Sequence, residues 1–232
     1  MSGGVFVAGT DTGIGKTIAS AALLRALRAA GRTAVGMKPV ASGCAATPDG
    51  LRNDDALLLI AHASAPAAYA QVNPFAFADP IAPHLAARDT GAAIALQPVR
   101  AAFAVLREQA DCVVVEGVGG WSVPLGPALM QADLVRALAV PVVLVVGLRL
   151  GCINHALLSA RAIQGDGCLL LGWIGNRIDP DMRRVDDNLA TLRERLPAPC
   201  LGVLPFAENP DPRALAPALE SAVRHIAEQG KA

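Results

Sequence analysis

The most constraining feature of the chain is the glycine-rich stretch 9–17, which reads Gly-Thr-Asp-Thr-Gly-Ile-Gly-Lys-Thr. It follows the short apolar run Val5 to Ala8 and precedes an alanine- and leucine-rich segment from Ile18 to Ala30, so a strand, a turn and a helix are predicted in that order. The backbone N–H groups of such a turn close on phosphates, its lysine adds charge at the β- and γ-phosphates, and its threonine hydroxyl binds Mg²⁺. The stretch therefore predicts a phosphate-binding loop, although five residues separate Gly9 from Gly15 where the usual pattern has four.

Composition limits the class of protein. The 232 residues are 53% hydrophobic and 17% charged, which is enough apolar material for one sizeable α/β domain over 1–232. A formal net charge of zero provides no basic field for nucleic acid or anionic lipid. The run Val140 to Leu148 is too short to cross a bilayer, and no secretory signal pattern is present. Five scattered cysteines without a CxxC pair predict reduced thiols in a cytoplasmic protein, and the low charged fraction favours an oligomer.

Apolar runs alternate with helical stretches along most of the chain. The runs are continuous rather than alternating, which is typical of strands covered on both faces, and the alternation predicts an α/β fold of three layers with a mostly parallel sheet. The predicted strands are Val5–Gly9, Thr33–Lys38, Cys112–Glu116, Val142–Gly147, Leu169–Asn176 and Leu201–Leu204. The predicted helices are Lys16–Ala30, Asp54–Ala63, Gln97–Gln109, Met130–Leu138, Ile153–Ile163, Arg183–Leu196 and Arg213–Glu228. The proline-rich segment 66–83 is expected to be an ordered loop with little regular structure.

Ligands of such sheets bind at the carboxyl ends of the strands, where this chain has several polar residues. Glu116 ends a strand of valines beside the phosphate loop and is a candidate Mg²⁺ ligand, and the glycines at 117–120 allow backbone to approach a ligand. Asp54 and Asp55 begin a helix, so that one caps it and the other faces the site; a capping role for both remains open. Lys38 ends the second strand and either adds charge beside the transferred phosphoryl group or is an ordinary surface lysine.

The later strand ends add an anion site and a base-reading element. Arg149 follows the fourth strand, and the helix start at 151–154 offers free N–H groups to an anion such as a carboxylate. Asn176 to Asp179 has the form of the Asn-Lys-x-Asp element that reads guanine, with arginine in place of the lysine. A contact between Asn176 and a nucleotide base is expected, while the choice of base cannot be read from the sequence.

Together these motifs resemble the dethiobiotin synthetase family, and the resemblance covers most of the chain. The matching segments are 9–17, 37–43, 51–56, 72–75, 83–86, 115–121, 151–155, 197–202 and 207–210. The resemblance implies a P-loop NTPase-like fold and a homodimer with substrate near the subunit interface. It also implies a reaction in which 7,8-diaminononanoate, CO₂ and Mg-ATP give dethiobiotin, ADP and phosphate, through a carbamate and a carbamic-phosphoric anhydride.

The resemblance further implies roles for individual residues. The catalytic group is Lys16, Lys38 and Arg149, and the Mg²⁺ ligands are Thr17, Asp55 and Glu116. The nucleotide site is Gly13, Ile14, Gly15, Lys16, Thr17, Ile18, Asp55, Glu116, Gly117, Val118, Gly119, Asn176, Arg177, Pro205, Phe206, Ala207 and Asp211. The site for the diamine and its carbamate is Thr12, Lys38, Ser42, Gly119, Gly151, Cys152 and Asn154, of which 151–154 receive the carboxylate.

The sequence departs from the family pattern at three positions, and other functions stay open. Some members have Glu where this chain has Gly13, many have Lys at Arg149, and some have Tyr near Asn188. One alternative is a regulatory nucleotide switch of the division-site type, although these usually carry an additional lysine early in the loop, where 9–13 has none. A GTP-binding module would rest on 176–179 alone. An amide-forming synthetase would need an ammonia source for which the chain has no room.

Overall fold

The computed structural model describes residues 3–229, so the two ends of the predicted domain 1–232 lie outside the described residues. The strands are β1 Gly4–Gly9, β2 Ala34–Met37, β3 Val40–Ala41, β4 Ala45–Thr47, β5 Gly50–Arg52, β6 Phe75–Ala76, β7 Cys112–Glu116, β8 Val142–Leu148, β9 Leu170–Arg177 and β10 Cys200–Leu204. The helices are α1 Lys16–Ala29, α2 Asp54–His62, α3 Tyr69–Val72, α4 Pro83–Asp89, α5 Leu96–Gln109, α6 Gln131–Leu138, α7 Cys152–Gly165, α8 Val185–Arg195, α9 Pro212–Leu215 and α10 Glu220–Gln229, with a 3₁₀ turn at Ala216–Leu219.

The central sheet has six strands in the order β10-β9-β8-β1-β7-β2, and every neighbouring pair is parallel. Strand β1 therefore lies between β8 and β7, with Val7 opposite Glu116 and Gly9 opposite Val145. Because all six strands point the same way, the loops that follow them meet at one edge of the sheet. The predicted α/β fold with a mostly parallel sheet is confirmed.

Helices cover both faces of the sheet, and each face has its own apolar core. Successive residues of a strand point to opposite faces, so Val5 and Val7 pack under α1, whereas Phe6 and Ala8 pack on the other side. The first core also receives α2, α9 and α10, and the second receives α5, α6, α7 and α8. Gly36 allows α2 to approach β2 closely, since a Cβ there would lie 2.6 Å from Cβ of Leu59. That approach brings the start of α2 toward the end of β2.

The predicted boundaries of the six sheet strands agree with the structure to within one residue, but two other segments differ. Segment 66–83 is more regular than expected, because it contains α3, β6 and the first residue of α4. Strand β6 pairs with β3, Val40 opposite Phe75, which is a contact that no local pattern shows. The predicted helix 213–228 is broken at Ala216–Leu219, where Pro217 lacks the N–H that a continuous helix needs.

Among the helices in the described range, none combines the length and the apolar character needed to cross a bilayer.

Candidate functional site

A cleft of about 1050 Å³ opens at the carboxyl ends of β1, β2 and β7. The phosphate loop, the start of α2 and the loops at 80–83 and 118–124 form its walls. The predicted site residues that line it are Thr12, Gly13, Gly15, Lys16, Thr17, Ile18, Lys38, Ser42, Asp55, Glu116, Val118 and Gly119. The fold therefore brings together residues that are more than a hundred positions apart in the chain.

A second depression of about 460 Å³ lies at the other end of α1, against the C-terminal helices. Its lining includes Arg25, Ala29, Arg213 and Val223, and the described part of its wall contains none of the predicted site residues. The cleft at the strand ends is the candidate site because the phosphate loop, two lysines and two carboxylates converge there and not in this depression.

The phosphate loop joins β1 to α1 with Gly15 at the helix N-cap. Gly15 has φ +80°, a left-handed conformation that favours glycine, and no side chain caps the helix. A Cβ on Gly15 would lie 2.2 Å from Nδ2 of Asn176, so the loop also has no room for a side chain here. The first N–H groups of α1 are thus left for an anion in the cleft.

Lys16 extends back across this loop. Its Nζ donates a hydrogen bond to the backbone O of Asp11 at 2.9 Å, and the residue is 7% exposed. Burial, together with the positive charge of Lys38, lowers the pKa of Lys16 to about 8, against the opposing pull of nearby carboxylates. An ammonium held in this way gains strongly from a phosphate, which would place a negative charge beside it.

Lys38 forms the centre of the cleft floor. Its Nζ lies 2.6 Å from Oε1 of Glu116 and 2.8 Å from Oδ2 of Asp55, and it donates a longer hydrogen bond of 3.3 Å to the carbonyl of Gly117. Burial alone would lower the pKa of Lys38, but the two carboxylates more than offset it and raise the pKa above its ordinary value. Burial would likewise raise the pKa of Asp55, and the attraction of Lys38 instead holds it below its usual range. The lysine is therefore a fixed cation, not the surface residue of the alternative interpretation.

The same carboxylates, with Thr17, form an oxygen-rich group suited to a hard cation. The Thr17 hydroxyl donates to Oε1 of Glu116 at 2.9 Å, and the second oxygen of that fully buried carboxylate, Oε2, has no hydrogen-bond partner within the described residues. An unpartnered buried carboxylate oxygen is costly unless a ligand completes it. A hydroxyl and two carboxylates fit Mg²⁺, which prefers oxygen ligands and usually takes one or two carboxylates plus substrate phosphates. In residues 3–229 no cluster of three or more His, Cys, Asp and Glu side chains could hold a metal by itself.

Arg149 lies beside the cleft rather than in its lining. Its guanidinium forms an ion pair of 2.6 Å with Oδ2 of Asp11, while Oδ1 of Asp11 accepts the Thr12 N–H at 2.7 Å. Arg149 thus fixes the outer part of the phosphate loop through its ion pair with Asp11.

Ser42 and the loop after β7 complete the walls. The hydroxyl of Ser42 is buried and has no partner within the described residues, so it is available to a ligand. Gln131 was missed by the sequence analysis: its Oε1 accepts from the Val118 N–H, and its Nε2 donates to the Gly120 carbonyl, each at 2.8 Å. No sequence pattern marks this glutamine, because its role depends on how α6 packs under a loop that precedes it.

The predicted base-reading residues lie on the far side of the phosphate loop. Asn176 donates through Nδ2 to the carbonyl of Ile14 at 2.8 Å and so supports the loop from beneath. Arg177 pairs with Asp186 at 3.2 Å, and Asp179 accepts the N–H of Asp181 at 3.0 Å. Since both charged members of the guanine-like element are engaged with local partners, the structure gives no support to a guanine-reading role.

The remaining predicted nucleotide and substrate residues are outside the cleft of this single chain. Pro205, Phe206 and Ala207 are exposed after β10, and Asp211 caps α9 by accepting the N–H of Arg213 at 2.9 Å. Gly151 is the N-cap of α7 with φ +94°, and Asn154 is exposed in the first turn of this helix. The thiol of Cys152 is buried, which raises its pKa, so only the backbone of that residue could meet a ligand.

The first strand of the parallel sheet ends in a glycine-rich loop, and lysine and threonine begin the helix that follows. A carboxylate on the adjacent strand contacts this threonine. These features define the class of P-loop nucleotide-dependent proteins. Comparison with known proteins agrees and narrows this class. A family model described as an AAA domain matches residues 3–213. The cell division protein MinD of Aquifex aeolicus has a similar fold, with a TM-score of 0.58 at 15% identity over 97% of this chain and 96% of that one.

Sequence relatives are much closer. The ATP-dependent dethiobiotin synthetase BioD of Xanthomonas oryzae pv. oryzae (strain PXO99A) is 60% identical over 213 residues, which is 92% of this chain and 94% of the relative. The enzyme of the same name from Xanthomonas campestris pv. campestris (strain ATCC 33913) is 59% identical over 91% of this chain and 94% of the relative. The chain belongs to the ATP-dependent dethiobiotin synthetase family. The predicted family is thereby confirmed.

Proposed function

We propose that the protein closes the cyclic urea of dethiobiotin from 7,8-diaminononanoate, CO₂ and ATP, as a cytoplasmic homodimer. The observation that supports this most is the cleft, where a phosphate loop lies next to a second, fully buried lysine and an unpartnered serine hydroxyl. A nucleotide switch needs the loop alone. A cation and a free hydroxyl beside the phosphate loop support a second, anionic ligand that reacts with the γ-phosphate.

The proposed reaction has three balanced steps. One amine of the diamine adds to CO₂ and loses a proton, which gives a carbamate. A carbamate oxygen attacks the γ-phosphorus of ATP, so that a new P–O bond forms while the bond to ADP breaks. The second amine then attacks the carbamoyl carbon and loses a proton, phosphate leaves, and the ring closes. Because the protein forms no covalent bond, positioning and charge neutralisation supply most of the rate.

The side chains of the cleft have distinct roles in this proposal. Lys16 and the first N–H groups of α1 bind the β- and γ-phosphates, and Lys38 neutralises the carbamate and the phosphoryl group as charge passes between them. Thr12 and Ser42 donate to the carbamate or the amines. Arg149 acts only as an electrostatic anchor, since a guanidinium does not release its proton at any working pH.

Thr17, Asp55 and Glu116 would hold Mg²⁺. When bound, the ion would neutralise charge on the β- and γ-phosphate oxygens. Within this set Glu116 is the residue whose buried, unpartnered Oε2 supports the assignment most directly.

The carboxylate of the diamine is assigned to residues 151–154, at the start of α7. Neither Gly151 nor Asn154 lines the cleft of its own chain, which supports a site completed by a second copy of the chain. Asn176 and the segment 205–207, with Arg177 and Asp211, would form the pocket for the base on the far side of the loop.

The decisive experiment is phosphate release from Mg-ATP and bicarbonate, with and without 7,8-diaminononanoate, combined with mass detection of the cyclic urea. Diamine-dependent release with dethiobiotin as the product is expected. Slow release that ignores the diamine, with nucleotide binding intact, would refute the proposal and favour a nucleotide switch. Repeating the assay with GTP and CTP determines the nucleotide preference.

A further inference from the structure

The two residues that meet at the cleft floor come from different elements. Lys38 follows β2, whereas Asp55 is in the first turn of α2. Their side chains are 2.8 Å apart, but Asp55 retains 40% of its side-chain exposure, so packing around the carboxylate does not by itself fix its place. Contacts outside the carboxylate therefore contribute to the separation between the end of β2 and the start of α2.

The hydroxyl of Tyr69 and the amide of Asn73 connect these two ends directly. The Tyr69 hydroxyl accepts the backbone N–H of Asn53 at 2.7 Å and donates to Oδ1 of Asn73 at 3.0 Å. Nδ2 of Asn73 then donates to the backbone carbonyl of Lys38 at 2.7 Å. One unbroken line of hydrogen bonds therefore runs from the residue before α2 to the residue after β2.

Each end of this line of hydrogen bonds is attached to the backbone at or near a cleft residue, Asp55 at one end and Lys38 at the other. Asn53 is the N-cap of α2, and its side chain accepts the N–H of Ala56 at 3.2 Å, so that the Tyr69 contact holds the helix two residues before Asp55. At the other end Asn73 is 4% exposed, and the N–H of Lys38 donates to the carbonyl of Val72 at 2.8 Å. Hydrogen bonds buried in this way are strong and geometrically specific.

The ring of Tyr69 is itself held in place. The guanidinium of Arg52 lies 4.2 Å from the ring centroid, a distance at which a cation–π contact forms. Burial raises the pKa of Tyr69, so the hydroxyl keeps the proton that it donates to Asn73 at neutral pH.

We propose that Tyr69 and Asn73 are positioning residues of the reaction, which set the separation of Lys38 from Asp55 without touching substrate. This inference rests on the proposed function for its kinetic readout. Neither side chain lines the described wall of the cleft, so their effect is transmitted through the backbone of Lys38 and through the start of α2.

The test is Tyr69→Phe, which keeps the ring and removes both hydrogen bonds of the hydroxyl. A displacement of Lys38 of well under 1 Å is sufficient to slow an alignment-dependent step, so kcat is expected to fall by roughly tenfold. The KM for the diamine and the dissociation constant for ATP should each change less than about twofold, because the groups that bind them remain.

The chain offers a matched control at the opposite ends of the same two elements. The Ser64 hydroxyl, just after α2, accepts the N–H of Ala34 at 2.6 Å and donates to its carbonyl at 3.1 Å at the start of β2. Ser64→Ala therefore also removes two hydrogen bonds between this helix and this strand, but far from the cleft. It should lower Tm about as much as Tyr69→Phe while leaving kcat within about twofold of the original protein.

A double variant separates positioning from a general loss of stability. If Tyr69 acts through Lys38, Tyr69→Phe should slow Lys38→Ala no further, since the lysine it positions is gone. A full tenfold loss in that background, or equal kcat for Tyr69→Phe and Ser64→Ala, would overturn the inference. Absence of diamine-dependent turnover in the unsubstituted protein would instead refute the proposed function. In that case the ¹⁵N chemical shift of Lys38 Nζ tests the positioning without a kinetic readout. It is expected to move in Tyr69→Phe and not in Ser64→Ala.

Discussion

Helices α1 and α7 begin in the same way but face different surroundings. Each follows a buried parallel strand, each has a glycine N-cap in the left-handed region, Gly15 at φ +80° and Gly151 at φ +94°, and neither is capped by a side chain. The start of α1 lies inside the cleft with Lys16 and Thr17, whereas the start of α7 is exposed. A shared local geometry thus gives two helix starts without a side-chain cap, of which only the start of α1 lines the cleft of its own chain.

The local sequence determines the geometry of each helix start but not its surroundings. The strand, the glycine and the free N–H groups are encoded within a few residues of each helix start. Whether that helix start lines a cleft of its own chain depends on the order of the strands in the sheet and on which segments cover the loop. In the proposed function, the uncovered start of α7 is the part of the site that a second chain would complete.

The largest effects are expected in the cleft that contains the start of α1. Replacement of Lys16 or Lys38 by Ala should lower turnover by roughly a thousandfold or more, because each substitution removes a full positive charge beside the transferring phosphoryl group. Lys16→Ala should leave Tm nearly unchanged or raise it, since burial opposes the charged form of Lys16, whereas Lys38→Ala should lower Tm, because Asp55 and the buried Glu116 lose their ion-pair partner. Steady-state kinetics and thermal unfolding measure the two quantities, and near-normal turnover of either variant would show that the site residues are misassigned.

At α7 the substitution Asn154→Asp places a carboxylate where the substrate carboxylate is proposed to bind. The diamine KM should rise by roughly tenfold to a hundredfold while the dissociation constant for ATP stays the same. The helix itself should tolerate the change, because an acidic residue in a first turn is favourable. Gln97→Glu adds the same charge to the exposed first turn of α5 and is the matched control; a similar KM for both variants would remove α7 from the site.

A mixture of inactive variants tests whether the two helix starts belong to one site. Lys16→Ala disables the α1 side, and Asn154→Asp disables the α7 side when the diamine concentration is kept well below the raised KM. If each site combines α1 of one chain with α7 of its partner, hybrid dimers contain one site with both defects and one site with none. Mixing after reversible dissociation should then restore up to about a quarter of normal activity. Activity that stays at the sum of the two variants would place both helix starts in the same chain.

Substitution of the two N-cap glycines by alanine should lower the free energy of unfolding by different amounts. Gly151→Ala meets no atom within 4 Å and costs only left-handed strain, about 1 kcal/mol in unfolding free energy. Gly15→Ala in addition displaces Asn176 and its bond to Ile14, which brings the cost to roughly 2–3 kcal/mol and weakens ATP binding. Gly31→Ala, at φ +77° with no atom within 4 Å, calibrates the strain alone in urea unfolding. Equal costs for Gly15 and Gly31 would show that Asn176 does not support the loop.

Much of the fold could be predicted because each sheet strand is a continuous apolar run followed by a polar or glycine-rich turn. Residues such as Lys16, Thr17 and Glu116 were also predictable, since they follow strands that end at one edge. The contacts among them were not. Lys38 bridges Asp55 and Glu116 because β7 lies between β1 and β2 in the sheet. The β3–β6 pairing and the hydrogen bonds of Gln131 and Asn73 leave no periodic signal, because each joins segments whose own sequence patterns are ordinary.

The smallest expected effect concerns protonation of Lys16 at the α1 start. With a pKa of about 8 in the free protein, Lys16 is largely neutral at pH 8.5, and phosphate binding should return the missing charge. ATP binding should therefore take up more protons at pH 8.5 than at pH 6.5, measured by calorimetry in two buffers of different ionisation enthalpy. In unfolding, the lowered pKa means that the unfolded state binds the extra proton between about pH 8 and 10.5, so this lysine makes stability rise with pH across that window. Lys16→Arg keeps a charge that does not titrate and should abolish the uptake; uptake that persists in this variant would assign the proton to another group of the cleft.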